Sequence, residues 1–277
     1  MKNALIVVNY NDWETTNEFL SYIKDYKVLD KIFVVDNFST NDSYNQLKKL
    51  ENEKIEIVKA SKNGGYGYGN NIGIKKAIKE FGDCNIIISN PDIIVKEDVL
   101  KGLLSDLNQK KEYALVGPII NTNGELNKGW HITSGFKEVL LSIPFFGNKL
   151  RDRIIGYSKN YYKKGINEVD VLSGCFFVAK AEAFKKIDFY DEKLFLYYEE
   201  NVIATKLKKE GYKTIIDTDY EVIHNHSVSI NKNYSSKEKY KTLKYSQIYY
   251  LNNYAKTSKV SILVIKFISR LIYWIKR

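Results

Sequence analysis

The fold is decided by one stretch of sequence, Cys84-Asn85-Ile86-Ile87-Ile88-Ser89-Asn90-Pro91-Asp92. Its apolar run is typical of a strand that is buried on both faces of a parallel sheet. Proline after Asn90 ends the hydrogen-bond ladder and forces a turn, so Asp92 is predicted to project from the strand tip. Open α/β sheets bind ligands at such tips, where a carboxylate can hold a divalent cation and thereby a diphosphate. Taken alone, the tripeptide is also an ordinary turn.

Two predicted strands upstream end in polar residues as well. Residues 4–8 are apolar and lead into Asn9-Tyr10-Asn11, and residues 32–35 are apolar and lead into Asp36. Residues 14–26 lie between them and carry apolar side chains at helical spacing, which predicts a crossover helix. These elements predict one half of a doubly wound α/β fold, with polar side chains at every strand tip.

A glycine-rich segment from Asn63 to Asn71 follows a third predicted strand, residues 55–58. It does not fit the dinucleotide-binding pattern Gly-x-Gly-x-x-Gly, because the sixth position is Asn70 in one register and Ile72 in the other. The glycines nevertheless predict a backbone that takes positive φ or passes close to another group. Residues 72–81 then resume a helical pattern.

Further motifs occur in a fixed order along about residues 3–230. In chain order they are Val8-Asn9-Tyr10-Asn11, Val35-Asp36-Asn37-x-Ser39, Asn63-Gly64-Gly65-Tyr66-Gly67-x-Gly69-Asn70-Asn71-x-Gly73, Asn90-Pro91-Asp92, Ser173-Gly174-Cys175-Phe176-Phe177-Val178-Ala179-Lys180, Phe189-Tyr190-Asp191-Glu192-x-Leu194-Phe195-Leu196-Tyr197-Tyr198-Glu199-Glu200 and His224-Asn225-His226-Ser227-Val228-Ser229. This ordered set resembles glycosyltransferase family 2, specifically its rhamnosyltransferase-like branch. The resemblance implies a GT-A type nucleotide-binding α/β sheet flanked by helices, and inverting transfer of a sugar from a nucleotide-sugar.

The resemblance also assigns roles to individual residues. The nucleotide-sugar is expected to contact Asn9, Tyr10, Asn11, Asp36, Asn63, Gly69, Asn70, Asn90 and Asp92, with Asp36 accepting a hydrogen bond from the nucleobase imide. Asp92 and His224 are expected to hold Mg²⁺ or Mn²⁺. The family's metal motif is usually Asp-x-Asp, and here Asn90 takes its first position, so Asp92 must carry the metal. Further candidates for the site are His226, Ser173 and Gly174.

The expected catalytic base lies in the pair Glu199-Glu200. Displacement at an anomeric carbon needs a base for the acceptor hydroxyl and neutralisation of the departing diphosphate. Glu200 is assigned as the base and Glu199 as the alternative, although the family's usual pair is Glu-Asp. Both acids would also stabilise the N-terminus of a helix predicted at residues 201–211.

Two of the three histidines, His224 and His226, are two residues apart and would share one face of a strand. Pairs with this spacing can ligate a metal, and the alternative is one core and one surface histidine. The third, His131, is left unassigned.

The basic charge of the chain lies in its last part. The net charge of the 277 residues is +10, and residues 231–277 carry eleven basic residues and one acidic residue, so the first 230 are neutral overall. We therefore predict a catalytic domain at residues 1–230, with a nucleotide-binding half at 1–120 and an acceptor-binding half at 121–230. A basic helical tail would occupy residues 231–277.

The end of the tail, residues 260–275, is strongly apolar but contains Lys266 and Arg270 on one helical face. A helix of that length spans about 24 Å, which is short of a hydrocarbon core of ~30 Å. This favours an amphipathic anchor in the plane of a membrane, which would bury Ile262, Leu263, Ile265, Ile268, Leu271, Ile272 and Ile275. The alternative is a helix that packs on the catalytic domain or on the second subunit of a homodimer.

Other functional classes explain fewer features. A nucleic-acid-binding protein could use the basic, Tyr-rich tail, but the acidic strand tips would then be unexplained, so no nucleic-acid partner is predicted. A sugar nucleotidyltransferase would show a Gly-rich signature with Arg and Lys where Asn9-Tyr10-Asn11-Asp12 stands. A non-catalytic saccharide-binding protein remains an alternative because of Asn90. Cys84 and Cys175 lie in apolar runs and are predicted to be buried thiols. The composition favours a cytoplasmic enzyme, and the predicted anchor helix would hold it on the inner face of the plasma membrane.

The predicted function is transfer of a sugar to a growing bacterial surface polysaccharide such as a capsule, cell-wall polymer or O-antigen. The resemblance favours dTDP-L-rhamnose as the donor, with UDP-galactofuranose, UDP-galactose and UDP-glucose as alternatives. An anchored enzyme suits an anchored substrate, so the predicted acceptor is a lipid-linked saccharide.

Overall fold

The computed structural model describes residues 1–143, 151, 153–158, 160–225 and 235–275. The strands in this part of the chain are β1 (Lys2–Asn9), β2 (Lys31–Asp36), β3 (Ile55–Lys59), β4 (Cys84–Ser89), β5 (Ile93–Ile94), β6 (Tyr113–Thr122), β7 (Glu125–Asn127), β8 (Ile166–Val169), β9 (Phe176–Lys180) and β10 (Lys213–His224). The helices are α1 (Trp13–Ile23), α2 (Ser43–Lys48), α3 (Tyr66–Phe81), α4 (Glu97–Leu107), α5 (Phe136–Ser142), α6 (Ala181–Lys186), α7 (Glu199–Lys209), α8 (Ser236–Asn253) and α9 (Lys259–Ile275).

All the strands join one mixed sheet, whose main order is β3-β2-β1-β4-β9-β6-β10-β5. Strands β1 to β4 are parallel to one another, β9 runs antiparallel to both β4 and β6, and β6 is parallel to β10. The strands β1, β2, β4 and β10 therefore end at the same side of the sheet, where β9 begins. We call this side the carboxyl edge.

The apolar runs of the sequence form the centre of this sheet because both faces are covered. In β1, Leu5 and Val7 pack into the core on one face, and Ala4 and Ile6 pack into the core on the other. Helices α1, α2 and α4 contribute to the first core, and α3, α6 and α7 contribute to the second. This two-sided cover confirms the predicted α/β fold class, and the two cysteines are buried as expected.

The glycine-rich segment differs from its prediction, because α3 already begins at Tyr66. A Cβ atom on Gly69 would lie 2.7 Å from Cγ1 of Val8, and one on Gly73 would lie 2.4 Å from Cγ2 of Ile6. These glycines allow the helix to lie directly on β1. Only Gly65, the residue before the helix, takes a positive φ in this segment, at 91°.

The tail forms two helices, and a capping box at Ser235 and Glu238 begins α8. Tyr250 and Leu251 of α8 pack together with Ile262 and Ile265 of α9. Leu194 and Val202, which lie before and within α7, complete this cluster. The predicted membrane face is therefore wrong for Ile262 and Ile265, and the packing alternative is correct for that side of the helix.

The opposite side of α9 is exposed and apolar. Its members recur at helical spacing and are Val260, Leu263, Val264, Phe267 and Leu271, which we call the apolar stripe. Leu263 and Phe267 each keep 64% of their surface exposed. Among the described residues, no helix combines the length and the apolar character needed to cross a bilayer.

Candidate active site

The tips of β1 and β2 are joined by a buried polar network. Asn9 and Asp36 are paired in the sheet register, and Asp36 is completely buried. Its Oδ2 accepts a hydrogen bond from Asn9 Nδ2 at 3.0 Å, and its Oδ1 accepts one from the backbone N–H of Ser39 at 3.0 Å. Asn9 Oδ1 accepts in turn from the Thr16 hydroxyl at 3.0 Å. Asp36 thus fixes the shape of the carboxyl edge, and its contact with a nucleobase stays a prediction.

The neighbouring residues predicted to bind the nucleotide fall into two groups. Tyr10, Asn11 and Asn63 are half-buried at the carboxyl edge, and Asn11 Oδ1 accepts from the backbone N–H of Thr40 at 2.8 Å. Gly69 and Asn70 are instead buried within α3. Asn70 Nδ2 donates to the carbonyl of Tyr66 at 3.0 Å, one turn earlier in its own helix.

The contact of Gly69 and Asn70 with the nucleotide stays a prediction, and the structure gives each of them a second role. Both lie behind the surface of α3, where Gly69 allows close helix–strand packing and Asn70 is satisfied locally. The half-buried Asn63 keeps its predicted place, with its Oδ1 accepting from Asn37 Nδ2 at 3.2 Å.

Asp92 and His224 come together at the ends of β4 and β10, as predicted. Nε2 of His224 lies 3.2 Å from Oδ1 of Asp92, and their side chains are only 13% and 9% exposed. Burial by itself lowers the pKa of His224, but the contacts with Asp92 and Cys175 outweigh it and raise the pKa to about 10. The other predicted histidine, His226, lies outside the described residues.

Asp92 and His224 could together bind a divalent cation whose remaining ligands come from substrate phosphates and water. Asp92 Oδ1 is buried, and His224 Nε2, at 3.2 Å, is the polar partner that the described residues place beside it. No cluster of three or more His, Cys, Asp or Glu side chains suited to a metal occurs in that part of the chain. Mg²⁺ and similar hard cations are commonly held by one or two carboxylates together with substrate phosphates and water. Asn90 is half-buried beside the pair, and its backbone N–H donates to the Cys175 carbonyl at 2.8 Å.

Glu199 and Glu200 open helix α7 directly after two residues of positive φ, Tyr197 at 73° and Tyr198 at 70°. Glu199 is 4% exposed, and its Oε1 is buried without a hydrogen-bond partner among the described residues. Glu200 is half-buried, and its Oε1 accepts from the backbone N–H of Gly174 at 3.3 Å. The predicted candidate Ser173 places its hydroxyl 3.2 Å from the Cys175 thiol.

Gly174 has to be small for this arrangement. A Cβ atom at Gly174 would lie 2.8 Å from Oε1 and 2.9 Å from Cγ of Glu200. The Gly174 carbonyl accepts from the Tyr66 hydroxyl at 2.7 Å, which fixes the turn from its other side. Gly174 therefore sets the position of the Glu200 carboxylate.

Burial shifts the pKa of both carboxylates in the same direction. Burial, and then the charge of Glu200, raise the pKa of Glu199 to about 8. Burial also raises the pKa of Glu200, but backbone N–H groups and the positive charge of Arg151 oppose the rise. The two carboxylates therefore titrate as one coupled pair, whose proton affinity burial raises.

Glu200 opens on a cavity of about 380 Å³ that the sequence did not reveal. The cavity is lined by Trp130, Thr133, Glu138, Leu141, Arg151, Ile155, Tyr197, Tyr198, Glu200, Asn201, Leu243, Lys244 and Gln247. None of the residues predicted to contact the nucleotide is among them. Helix α8 supplies one wall, so the tail is part of the site.

A buried carboxylate ties the cavity walls together. Glu138 of α5 is 1% exposed, and its Oε2 accepts from Gln247 Nε2 at 2.7 Å and from the Tyr198 hydroxyl at 2.8 Å. The Thr133 hydroxyl donates to its Oε1. The network joins α5 and α8 to the residue that precedes the Glu199-Glu200 pair.

Residues 4–188 match the family model described as glycosyl transferase family 2. The chain belongs to glycosyltransferase family 2. Among curated relatives of this family 2 chain, it is 25% identical over 242 residues to the low-salt glycan biosynthesis hexosyltransferase Agl10 of Haloferax volcanii, covering 86% of this chain and 71% of the relative. It is 23% identical over 218 residues to an N-acetylglucosaminyl-diphospho-decaprenol L-rhamnosyltransferase of Mycobacterium tuberculosis, covering 74% of this chain and 69% of the relative.

Solved structures share the GT-A fold of this family 2 chain. The mannosyltransferase PcManGT of Pyrobaculum calidifontis, in complex with GDP-Man and Mn²⁺, superposes with a TM-score of 0.60 at 13% identity, covering 99% of this chain and 69% of that one. GalNAc-T7 with UDP, GalNAc and Mn²⁺ gives 0.60 at 18% identity, covering 81% of this chain and 44% of that one. TarS 1–349 of S. aureus gives 0.58 at 16% identity, covering 90% of this chain and 65% of that one.

In this family 2 chain, a continuous set of contacts joins the two halves of the candidate site. His224 contacts Asp92 and Cys175, and Gly174, the residue before Cys175, binds Glu200. Sequence reasoning missed Arg151 and Lys244, which face Glu200 across the cavity. The sequence did offer a reason to consider Arg151, because arginine is rare in this chain: only four of its 43 basic residues are arginines.

Proposed function

We propose that the protein is an inverting glycosyltransferase in which Glu200 is the base. Glu200 removes the proton of an acceptor hydroxyl as that oxygen attacks the anomeric carbon of the donor. The bond between this carbon and the diphosphate oxygen breaks, and its electron pair leaves with the nucleoside diphosphate. The observation that carries the proposal is that Glu200 lines the cavity and Glu199 does not, while Gly174-Cys175 links Glu200 to Asp92 and His224.

We infer that Asp92 and His224 hold a divalent cation, Mg²⁺ or Mn²⁺, when the nucleotide is bound. Such a cation neutralises charge that develops on the departing diphosphate. The buried pairing of Asp92 Oδ1 with His224 Nε2 at 3.2 Å supports this assignment, as does the Mn²⁺ named with two of the similar structures. The proton on His224 must leave before the imidazole can ligate, so cation binding should release protons.

For the donor we propose dTDP-L-rhamnose, supported by the motif resemblance and by the L-rhamnosyl activity in the name of the mycobacterial relative. UDP-galactofuranose, UDP-galactose and UDP-glucose are the alternatives, and the hexosyltransferase name of the Haloferax relative fits them as well. Transfer rates measured from these donors at equal concentration decide between them. Faster transfer from any UDP-sugar would reject the rhamnosyl assignment and keep the enzyme class.

We propose that the acceptor is a lipid-linked saccharide of a surface polysaccharide, and that the enzyme works on the inner face of the plasma membrane. The name of the mycobacterial relative includes such a diphospho-lipid acceptor. Two features of α9 support membrane contact. Its apolar stripe is exposed, and the basic residues Lys259, Lys266 and Arg270 are exposed on the same helix. Basic side chains near an anionic leaflet contribute about 1 kcal/mol each.

The base assignment is tested by Glu200→Gln, which removes the proton acceptor at nearly constant shape. We expect transfer to fall by about 10²–10⁴-fold, the usual contribution of a general base, with nucleotide affinity unchanged. Glu210→Gln, at the far end of the same helix region, is the matched control and should keep full activity. If Glu199→Gln loses activity and Glu200→Gln keeps it, Glu199 is the base.

The cation assignment is tested by Asp92→Asn in calorimetric titrations with UDP and dTDP. Wild-type protein should bind the nucleotide in Mn²⁺ and lose most of that affinity in EDTA, whereas Asp92→Asn should bind weakly in both. Proton release on binding, measured in buffers of different ionisation enthalpy, should disappear in His224→Gln. Equal affinity of wild type and Asp92→Asn in Mn²⁺ would reject this metal site.

A further inference from the structure

Two positively charged side chains, Arg151 and Lys244, line the cavity on which Glu200 opens. The Lys244 ammonium donates to Gln247 Oε1 at 2.9 Å and lies 3.3 Å from the Ser142 hydroxyl, so its hydrogen-bond acceptors are uncharged. Neither cation forms an ion pair within 4.0 Å in the part of the chain that the structure describes. Cations that line a cavity without a carboxylate partner suit an anionic ligand.

The protonation of Lys244 supports the same ligand. Burial lowers the pKa of Lys244 to about 8, although the charge of Glu138 opposes this shift. Glu138 itself is engaged by Tyr198 and Gln247 rather than by Lys244. A bound anion would therefore add to the counter-charge that Glu138 supplies without direct contact.

The cavity lies apart from the residues that are expected to bind the nucleotide. Asn9, Asp36 and Asp92 lie at the carboxyl edge and do not line the cavity, whereas Glu200 does. Trp130 and Tyr197 add aromatic surfaces of the kind on which sugar rings stack. The cavity thus has a base, aromatic walls and two cations, and it lies on the acceptor side of the base.

The cavity also lies near the apolar stripe. Tyr240 precedes Lys244 by one turn of α8, and its hydroxyl donates to the carbonyl of Ser269 in α9 at 3.4 Å. Helix α9 carries the apolar stripe on its exposed side. A ligand whose anionic group meets Lys244 therefore has an exposed apolar surface close by for a hydrocarbon chain.

We infer that Arg151 and Lys244 form a subsite for the diphosphate that links the acceptor sugar to its lipid. This inference rests on the proposed glycosyl transfer and specifies its acceptor. The acceptor sugar lies between Trp130 and Tyr197, with its hydroxyl at Glu200. The diphosphate lies between Arg151 and Lys244, and the lipid chain extends toward α9. Recognition of this diphosphate needs no metal ion, in contrast to the nucleotide diphosphate at Asp92.

The test measures binding of farnesyl diphosphate and of neutral farnesol to the full chain in EDTA, where the proposed cation site is empty. Wild-type protein should bind the diphosphate at least tenfold more tightly than the alcohol. Lys244→Gln and Arg151→Gln should each remove most of this difference and leave farnesol binding unchanged. Lys241→Gln removes the same charge from an exposed position on α8 and should have no effect.

Further measurements keep the inference separate from misfolding and from the proposed function. Lys244→Arg should retain diphosphate binding, and UDP binding in Mn²⁺ should be equal in all four variants. Equal affinity of Lys244→Gln and wild type for farnesyl diphosphate would overturn the subsite. Displacement of farnesyl diphosphate by UDP with Mn²⁺ would assign both cations to the donor and overturn it as well. Loss of UDP binding by wild-type protein would instead count against the proposed function.

Discussion

At the scale of single residues, Gly174 is the position where one methyl group would disturb the proposed chemistry. Gly174→Ala places a Cβ atom against the Glu200 carboxylate, and the flexible carboxylate is the group that must move. A displacement of about 1 Å at a reacting group can cost 10²-fold in rate. We therefore expect kcat to fall by about 10²-fold, with an unchanged melting temperature and unchanged nucleotide affinity.

The check on this prediction is a comparison of kcat with thermal unfolding of the same variant. A variant that keeps its full rate would show that Glu200 does not need its present position. A variant that loses several degrees of melting temperature would show that Gly174 serves the fold rather than the carboxylate.

The sequence alone predicted the acidic residues at the strand tips, but it did not predict the burial or the pKa of each side chain. Asp92 and Glu200 were placed correctly, because a strand end and a helix start are visible in the sequence. The burial of Asn70 was not visible, because helix α3 begins earlier than its apolar pattern does. The pKa values of Glu199 and Glu200 are raised by burial, and Arg151 opposes the rise at Glu200; only the folded chain creates these surroundings.

At the scale of elements, the apolar stripe of α9 predicts binding to a lipid surface. Leu263→Glu combined with Phe267→Glu should reduce binding to vesicles that contain phosphatidylglycerol by at least tenfold. Burial of each side chain in a membrane is worth about 1.5–3 kcal/mol, and the new charges oppose it. Co-sedimentation at low salt measures this change.

A matched control makes the same change in net charge outside the stripe. Asn252→Glu with Lys256→Gln alters two exposed tail positions and should weaken vesicle binding only slightly, with an effect that high salt removes. An equal loss of vesicle binding in both double variants would show that the tail contacts the membrane through charge alone. An unchanged affinity in the stripe variant would remove the membrane from the function of α9.

Elements were predicted well where one periodicity dominates. Strands β1 to β4 and the helix that carries Glu200 match their predicted positions within a few residues. Helix α9 was predicted as a helix, yet its two apolar faces could not be distinguished. Ile262 and Leu263 are both apolar, but only the first meets the cluster formed by Leu194, Val202 and Tyr250. A pattern of apolar residues indicates burial without indicating the partner.

At the scale of the whole molecule, an acidic pair links α4 to β10 and makes stability depend on pH. Burial, and then Asp217, raise the pKa of Asp106 to about 7, from about 3.9 in an unfolded chain. Between these values the folded protein holds a proton that the unfolded chain has lost, so stability falls as pH rises. Asp106→Asn removes this dependence and should raise the melting temperature at pH 8 by about 2–4 °C.

The measurement is thermal unfolding of wild type and Asp106→Asn at pH 5 and pH 8. The two proteins should differ at pH 8 and converge at pH 5, where wild-type Asp106 is protonated. Asp98→Asn changes an exposed carboxyl on the same helix and should behave like wild type. A variant that is less stable at pH 8 would show that the Asp106 charge stabilises the fold.

The sequence did not predict how distant segments of the chain assemble the cavity at Glu200. The sheet follows from local patterns, whereas the cavity is assembled from α5, α7, α8 and the segment around Arg151, which are far apart in the chain. No local pattern reports that Glu138 of α5 will meet Gln247 of α8. For the same reason, the division into a domain at 1–230 and a tail remains a prediction.

The participation of α8 in the cavity wall has a consequence for how such enzymes diversify. The residues that match the family end at 188, before Glu199 and well before Lys244. The wall that α8 supplies is therefore encoded apart from the strand tips that carry Asn9, Asp36 and Asp92. If the cavity binds the acceptor as we propose, exchange of the segment that encodes residues 235–275 would alter acceptor choice and leave Asn9, Asp36 and Asp92 unchanged.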